Sequence, residues 1–374
     1  MCHSFFKNVS ARHLLIVYLA SSALVLVGAR TRVVSRRELS FVSFESRLSV
    51  DLESRQSSQT SEKHTSIVVF GASWADNAHP RPDKYKGTFR DPPYYKGRYS
   101  NGIIWAEYLA QSLLTGRNIP LLDYAYGGAV ASNTLTYTDK PDTNTQSDTY
   151  ISDVRNGKIN RGAGPVLHFW WIGLNQITQI WTDAIKADPT ARQPDVVAKA
   201  HSQVQDNVAE LKRQVVKVMQ DPAVQRAPCD FFIVPIPNMA EVLTFQFQAV
   251  DLSKNVTQLA KTYVDFIGDL SYAYNQGIAR FVSEMQTTYG SPTTHGWVRT
   301  MDFESFWKSA IDDPRKYQLE VSDKACLQSV NGTQVVCANP EKYVFWDSLH
   351  PTTAMHKLIA ANLVPAINVA RLLF

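Results

Sequence analysis

Asp347 and His350 stand in the run Phe345-Trp346-Asp347-Ser348-Leu349-His350-Pro351, just ahead of a helical pattern. On a single turn, that spacing lets the carboxylate orient the imidazole, and the imidazole can then act as base for a hydroxyl brought from elsewhere in the chain. Ser73, in Gly71-Ala72-Ser73-Trp74, is a candidate hydroxyl: it closes an apolar run at a strand-to-helix turn, where its Oγ would stand clear of a sheet. Gly127-Gly128-Ala129 offers backbone that can approach a ligand and aim an N–H at it. Asn175, in Gly173-Leu174-Asn175, carries an amide able to donate to a developing oxyanion. Singly, each has an ordinary structural explanation as a cap, a turn or a surface ion pair. Together they supply a nucleophile, a base, its orienter and a set of oxyanion donors.

Positioning these groups requires short buried strands. Residues 66–70, 120–125, 166–172 and 231–234 are apolar runs, each closed by Gly or Pro, which reads as parallel strands buried on both faces. Helical patterns lie between them. Residues 194–219 carry an apolar stripe through Val204, Val208, Leu211, Val215 and Val218, opened by Pro194. Further helices are expected over 102–114, over 256–287 and from about Pro351 to the C-terminus, where Leu358, Ile359, Leu363 and Ile367 face inward and Pro365 should kink the helix. Alternating strands and helices imply a parallel sheet covered on both faces, with chemistry beyond the carboxyl ends of the strands. Val242 to Phe247 alternates apolar and polar residues and reads as a strand with one buried face, or as the lining of an acyl groove.

The ordered set, Ser after the first strand, Gly after the second, Asn after the third and Asp-x-x-His near the end, resembles the GDSL-type, or SGNH, hydrolase family. Phe70 to Asn77 resembles the family's nucleophile block, Gly97 to Gly102 with Trp105 and Glu107-Tyr108-Leu109 the stretch that follows it, Tyr124 to Ser132 the glycine block, and Phe345 to Pro351 the Asp-His block. The resemblance runs from about Ser66 to the C-terminus, and the Cys326 to Cys337 loop is similar to fungal acetylesterases of carbohydrate esterase family 16. It implies an α/β, three-layer α/β/α sandwich with a mostly parallel, flavodoxin-like central sheet. It also implies Ser73 as nucleophile, His350 as base, Asp347 as orienter, and an oxyanion hole from the N–H groups of Ser73 and Gly128 and the Asn175 side chain. Gly128 is preferred to Gly127 because the family's glycine lies five positions after a polar strand-end residue, here Asp123. Two positions depart from the pattern: Ala72 replaces an Asp that braces the loop, and Gln176 replaces the Asp after the oxyanion Asn.

The 374-residue composition, 44% hydrophobic and 19% charged, excludes a disordered, collagenous or polytopic membrane chain. The net charge of +4 is too small and too dispersed for a nucleic-acid footprint. Residues 1–29 read as a secretory signal peptide, with an uncleaved anchor as the alternative, and residues 30–62 as a Ser/Arg-rich linker or pro-segment. Residues 63–374 then form one hydrolase domain of a secreted, extracellular monomer, without stable membrane association once the signal is cleaved. Cys326 and Cys337 bracket a sequon at Asn331 and are expected to pair, leaving Cys229 as a buried free thiol; a second sequon lies at Asn255. No cofactor and no metal are expected. The expected substrate is a short acyl ester, an acetylated plant-wall oligosaccharide, with Trp74, Tyr94, Tyr95, Trp170 and Trp171 as candidate stacking aromatics. The alternatives are a lipase or phospholipase with longer acyl groups and a non-catalytic carbohydrate-binding homologue.

Overall fold

The computed structural model describes residues 63–87, 91–289 and 296–368. The signal-peptide and linker assignments, residues 1–62, lie outside them. At the centre is a five-stranded parallel sheet in the order β2-β1-β3-β4-β5. Its strands are β1 (Ser66–Gly71), β2 (Leu121–Asp123), β3 (Val166–Trp171), β4 (Cys229–Ile233) and β5 (Val298–Arg299). Every residue of β1, β3 and β4 is buried, which is why these segments read as continuous apolar runs. Val68 pairs with Leu122 on one side and His168 on the other. The order 2-1-3-4-5 is that of flavodoxin-like sheets, and helices on both faces complete a three-layer α/β/α sandwich. The two-residue edge strand β5 gave no sequence signal because Trp297-Val298-Arg299 is too short to show a period.

The helices are α1 (Trp105–Tyr108), α2 (Thr143–Arg155), α3 (Leu174–Ala187), α4 (Pro194–Gln220), α5 (Leu243–Leu252), α6 (Thr257–Tyr289), α7 (Phe303–Asp312) and α8 (Thr353–Asn368). In α4, Val204, Val208, Leu211, Val215 and Val218 are all buried, and Pro194 opens the helix. In α8, which contains Pro365, Ile359, Leu363 and Ile367 are buried while Leu358 is partly so.

The segment 242–247 is not a strand. Val242 caps α5, and the buried positions Val242, Phe245 and Ala249 follow a helical spacing of three and four. The apparent alternation arises because Phe247 points to solvent. A second correction concerns the aromatics. Trp74, Trp170 and Trp171 are 3%, 0% and 3% exposed and pack with Phe70, Trp105, Phe303 and Trp307. They are core, and only Tyr94 and Tyr95 of the five keep appreciable exposure.

A small annex precedes α8. Strands β6 (Val321–Ala325) and β9 (Tyr343–Phe345) pair parallel, and β7 (Leu327–Val330) and β8 (Thr333–Val336) form an antiparallel hairpin. A disulfide joins Cys326 to Cys337 across its base. Asn331 and Gly332 turn the hairpin with φ of 50° and 77°. Asn331 and Asn255 are both exposed, and Cys229 is a buried free thiol. No helix among the described residues is long and apolar enough to cross a membrane.

Candidate active site

Four chain segments converge beyond the carboxyl edge of the sheet. Ser73 follows β1, Gly128 follows β2, Asn175 lies in the first turn of α3 after β3, and Asp347 and His350 follow β9. The His350 Nε2 lies 2.9 Å from Ser73 Oγ. Its Nδ1 lies 2.9 and 2.8 Å from the two Asp347 oxygens. Asp347 Oδ1 also accepts the N–H groups of Leu349 and His350, each at 2.8 Å. Burial alone would push the Asp347 carboxyl up; the charge and hydrogen bond of His350 and the two backbone N–H groups outweigh it and lower it to about 2. A carboxylate fixed in this way holds the imidazole in one orientation, with Nε2 facing the hydroxyl.

Next to Ser73, the segments carrying Gly128 and Asn175 are tied together. The Asn175 amide donates one N–H to Ala129 O at 2.7 Å, so its second N–H remains for a ligand beside the glycine turn. The Gly127 N–H is taken by Asp76 Oδ2 at 2.8 Å, which leaves Gly128, with φ of 83°, as the glycine whose N–H can serve. Asp76 also meets the buried Arg81 guanidinium, with Nη1 donating to Oδ2 at 2.7 Å. A small cavity of about 10 Å³ reaches Ser73 and Asn175 between Trp74, Trp171, Ile236 and Leu349. Among the described residues no three His, Cys, Asp or Glu side chains gather as a metal site.

A match to the GDSL-like lipase/acylhydrolase family extends over residues 67–363. The chain belongs to that family. It is therefore a carboxylic ester hydrolase with the esterase/lipase activity of the GDSL superfamily. The thermolabile hemolysin of Vibrio parahaemolyticus is 22% identical over 341 residues, covering 88% of this chain and 71% of that protein. The phosphatidylcholine-sterol acyltransferase of Aeromonas hydrophila is 21% identical over 340 residues, covering 79% and 87%. A GDSL esterase/lipase of Arabidopsis thaliana is 29% identical over 117 residues, covering 29% of this chain and 31% of the plant protein, so the likeness to it spans about a third of its length.

The two departures from the GDSL pattern look different in three dimensions. Ala72 removes a carboxylate, but the Gln146 side chain from α2 clamps the preceding Gly71, accepting its N–H at 2.9 Å and donating to its carbonyl at 3.0 Å. Gln176 is fully buried in the first turn of α3. Neither Gln146 nor Asp76 stood out in the sequence as a brace, because each acts on a residue distant along the chain.

The GDSL stretch from Gly97 to Tyr108 also gains a physical role. Arg98 and Glu107 form a two-bond ion pair at 2.8 and 2.6 Å. Ser100 Oγ donates to Pro351 O at 2.9 Å, the Thr353 N–H donates to Asn101 Oδ1 at 2.8 Å, and Thr353 Oγ1 donates to Ile103 O at 2.8 Å. The Tyr99 ring lies 5.0 Å from the His350 ring. This stretch thus grips the residues on the C-terminal side of His350.

Proposed function

We propose that the protein is a secreted lipid acylhydrolase that cleaves carboxylic esters of medium to long acyl chains through an acyl-enzyme. In this reading Ser73 Oγ attacks the ester carbonyl while His350 Nε2 takes its proton. The Ser73 and Gly128 N–H groups and the Asn175 amide receive the oxyanion. His350 then returns the proton to the leaving alcohol and activates the water that frees the acid.

The observation that carries the substrate class is a cavity of about 470 Å³ next to Asp347, walled by Tyr94, Phe247 and Leu327 and by Lys324, Gln328 and Gln334. It offers an apolar side for an acyl chain, at ~0.8 kcal/mol for each methylene buried, and a polar side for a headgroup. Exposed apolar side chains gather on the elements around it: Phe247, Val250 and Leu252 on α5, and Val330, Val335 and Val336 on the hairpin. The two relatives that align along most of this chain support the same class, since one is named for phosphatidylcholine and the other for lysis of blood cells. The exposed sequons at Asn255 and Asn331 support an extracellular glycoprotein.

A second reading, an acetylesterase of the kind the Cys326–Cys337 loop suggests, is favoured by the narrow cavity at Ser73 itself, whose ~10 Å³ is about the room of a single water and leaves no space for a long acyl chain. The two part on kcat/KM for acetate, butyrate, octanoate and palmitate esters of one alcohol, with phosphatidylcholine alongside. A maximum at octanoate or longer is expected. A maximum at acetate would replace the lipid reading by the second.

A further inference from the structure

Among the described residues, the Asp347 carboxylate has a second side-chain partner besides His350. Tyr94 Oη donates to Asp347 Oδ2 at 2.8 Å. The structure assigns to Tyr94 the role of a positioning residue, a phenol that sets both the orientation and the basicity of the carboxylate behind the base. This rests on the reading above, in which His350 takes the proton from Ser73.

The geometry divides the work between the two oxygens. Oδ1 is held by two backbone N–H groups and the imidazole. Oδ2 is shared between the imidazole and Tyr94. Neither oxygen can swing away from His350 without breaking a charge-assisted bond, each about twice as strong as a neutral one. The phenol stays protonated as a donor: burial first, and then the charge of Asp347 and the bond to it, push its ionisation far above the ordinary tyrosine range.

Tyr94 is itself held in place. Its ring stands edge-on to Trp346, with centroids 6.0 Å apart, and packs on the cluster of Cys326, Leu327 and Trp346. The hairpin is tied to the strand that delivers Asp347, because the Cys326 N–H donates to Phe345 O at 3.0 Å and the Leu327 N–H to Trp346 O at 2.6 Å. On the other side, the Tyr95 N–H donates to Ser100 O at 2.9 Å, within the stretch that grips Pro351. Tyr94 therefore joins the disulfide hairpin, against which it packs, to the loop of residues 94–101.

Two consequences follow for the reaction. Losing the phenol frees Oδ2 to rotate, which lowers the fraction of molecules with a correctly turned imidazole. It also leaves a more basic carboxylate, which favours the protonated imidazole and moves the acidic limb of the rate profile to higher pH. Other groups near the pair stay unchanged in such a variant: Tyr99 against the His350 ring, Asp76 and Arg81 acting on Tyr99, the buried His356, on which His350 acts, and Lys324 in the adjoining cavity.

The test is the pH dependence of kcat and KM for a p-nitrophenyl ester with the full chain. Tyr94→Phe is expected to lower kcat roughly three- to tenfold, to leave KM within about twofold, and to raise the acidic limb of kcat/KM by roughly half a pH unit. Tyr94→3-fluorotyrosine, whose hydroxyl is the stronger donor, is expected to move that limb the other way. An unmoved profile in Tyr94→Phe, a change in KM alone, or shifts of the same sign in both variants would overturn the assignment. Ser73→Ala separates this from the reading beneath it. If it is inactive while the Tyr94 profiles do not move, only the role of Tyr94 fails; if it retains activity, both fail.

Discussion

Ser73 and His350, the proposed nucleophile and base, are held by different kinds of structure. Ser73 sits at the end of a strand with no exposed residue, paired on both sides, and the Gln146 clamp fixes the glycine two positions before it. His350 follows a three-residue strand at the margin of the fold and is held by cross-links: Ser100 to Pro351, Asn101 to Thr353, Tyr94 to Asp347, and the disulfide hairpin behind Trp346. The serine is thus placed by burial and the histidine by a set of individual polar bonds. Loosening the first should cost stability before rate, and loosening the second should cost rate before stability.

The sharpest way to break this comparison is at the point where the two sides meet. Ser73→Ala and His350→Ala should each lower kcat by about 10⁴-fold or more, and the double variant should be little worse than either. Losses that multiplied would mean the two sides do not act as one unit. Asn175→Ala should reduce kcat by about 10²–10³-fold with a much smaller change in KM, because the amide meets charge present mainly in the transition state. A change confined to KM would make Asn175 a substrate-binding group.

Smaller effects separate the sides. Gln146→Ala strands the buried N–H of Gly71 and should cost about 2–3 kcal/mol of unfolding free energy, measured by denaturant titration. Asn101→Ala leaves the core intact and should lower kcat about tenfold with less than ~1 kcal/mol lost. Equal stability losses in the two would erase the distinction. Replacing both Cys326 and Cys337 by Ser, which opens a loop of sequence separation 11, should cost about 2–3 kcal/mol in the chain-entropy model and also lower kcat by loosening Tyr94.

A pH effect is spread over both sides. Burial first lowers His168, in the sheet, and His356, in α8, from 6.5 to about 3, and His79 to about 4. The unfolded chain then binds more protons than the folded one below about pH 6.5. Stability is therefore full above that pH and falls as pH drops toward 4, each group adding a slope of up to ~1.4 kcal/mol per pH unit. Urea midpoints from neutral to acid pH check this, and a flat profile would contradict it.

The sequence was legible where burial does the positioning. Each of the first four strands of the central sheet is an apolar run closed by Gly or Pro, and the residue types that follow them sit together in space. What escaped was whatever depends on contacts across the chain. Gln146 carries no periodic or motif signal, Asp76 lies within the nucleophile block but nothing there marks it as a brace, and Tyr94 read only as a candidate stacking aromatic. The α5 helix was misread because Phe247, exposed, supplied the missing beat of a strand-like alternation. The annex strands are too short to generate a pattern, and β6 to β8 are largely exposed as well.

Gly127 has a further implication for how this protein can vary. A Cβ added there would overlap the Tyr99 ring, the same ring that lies against His350. One phenol therefore occupies space that belongs to the Gly127-Gly128 loop on one face and to His350 on the other. Any side chain at position 127 must displace that ring and so disturb the imidazole it lies against. The two positions are bound into a shared history: Gly127→Ala should be harmful alone and largely harmless when Tyr99→Ala has come first, so that a substitution path through these sites is open in one order and closed in the other.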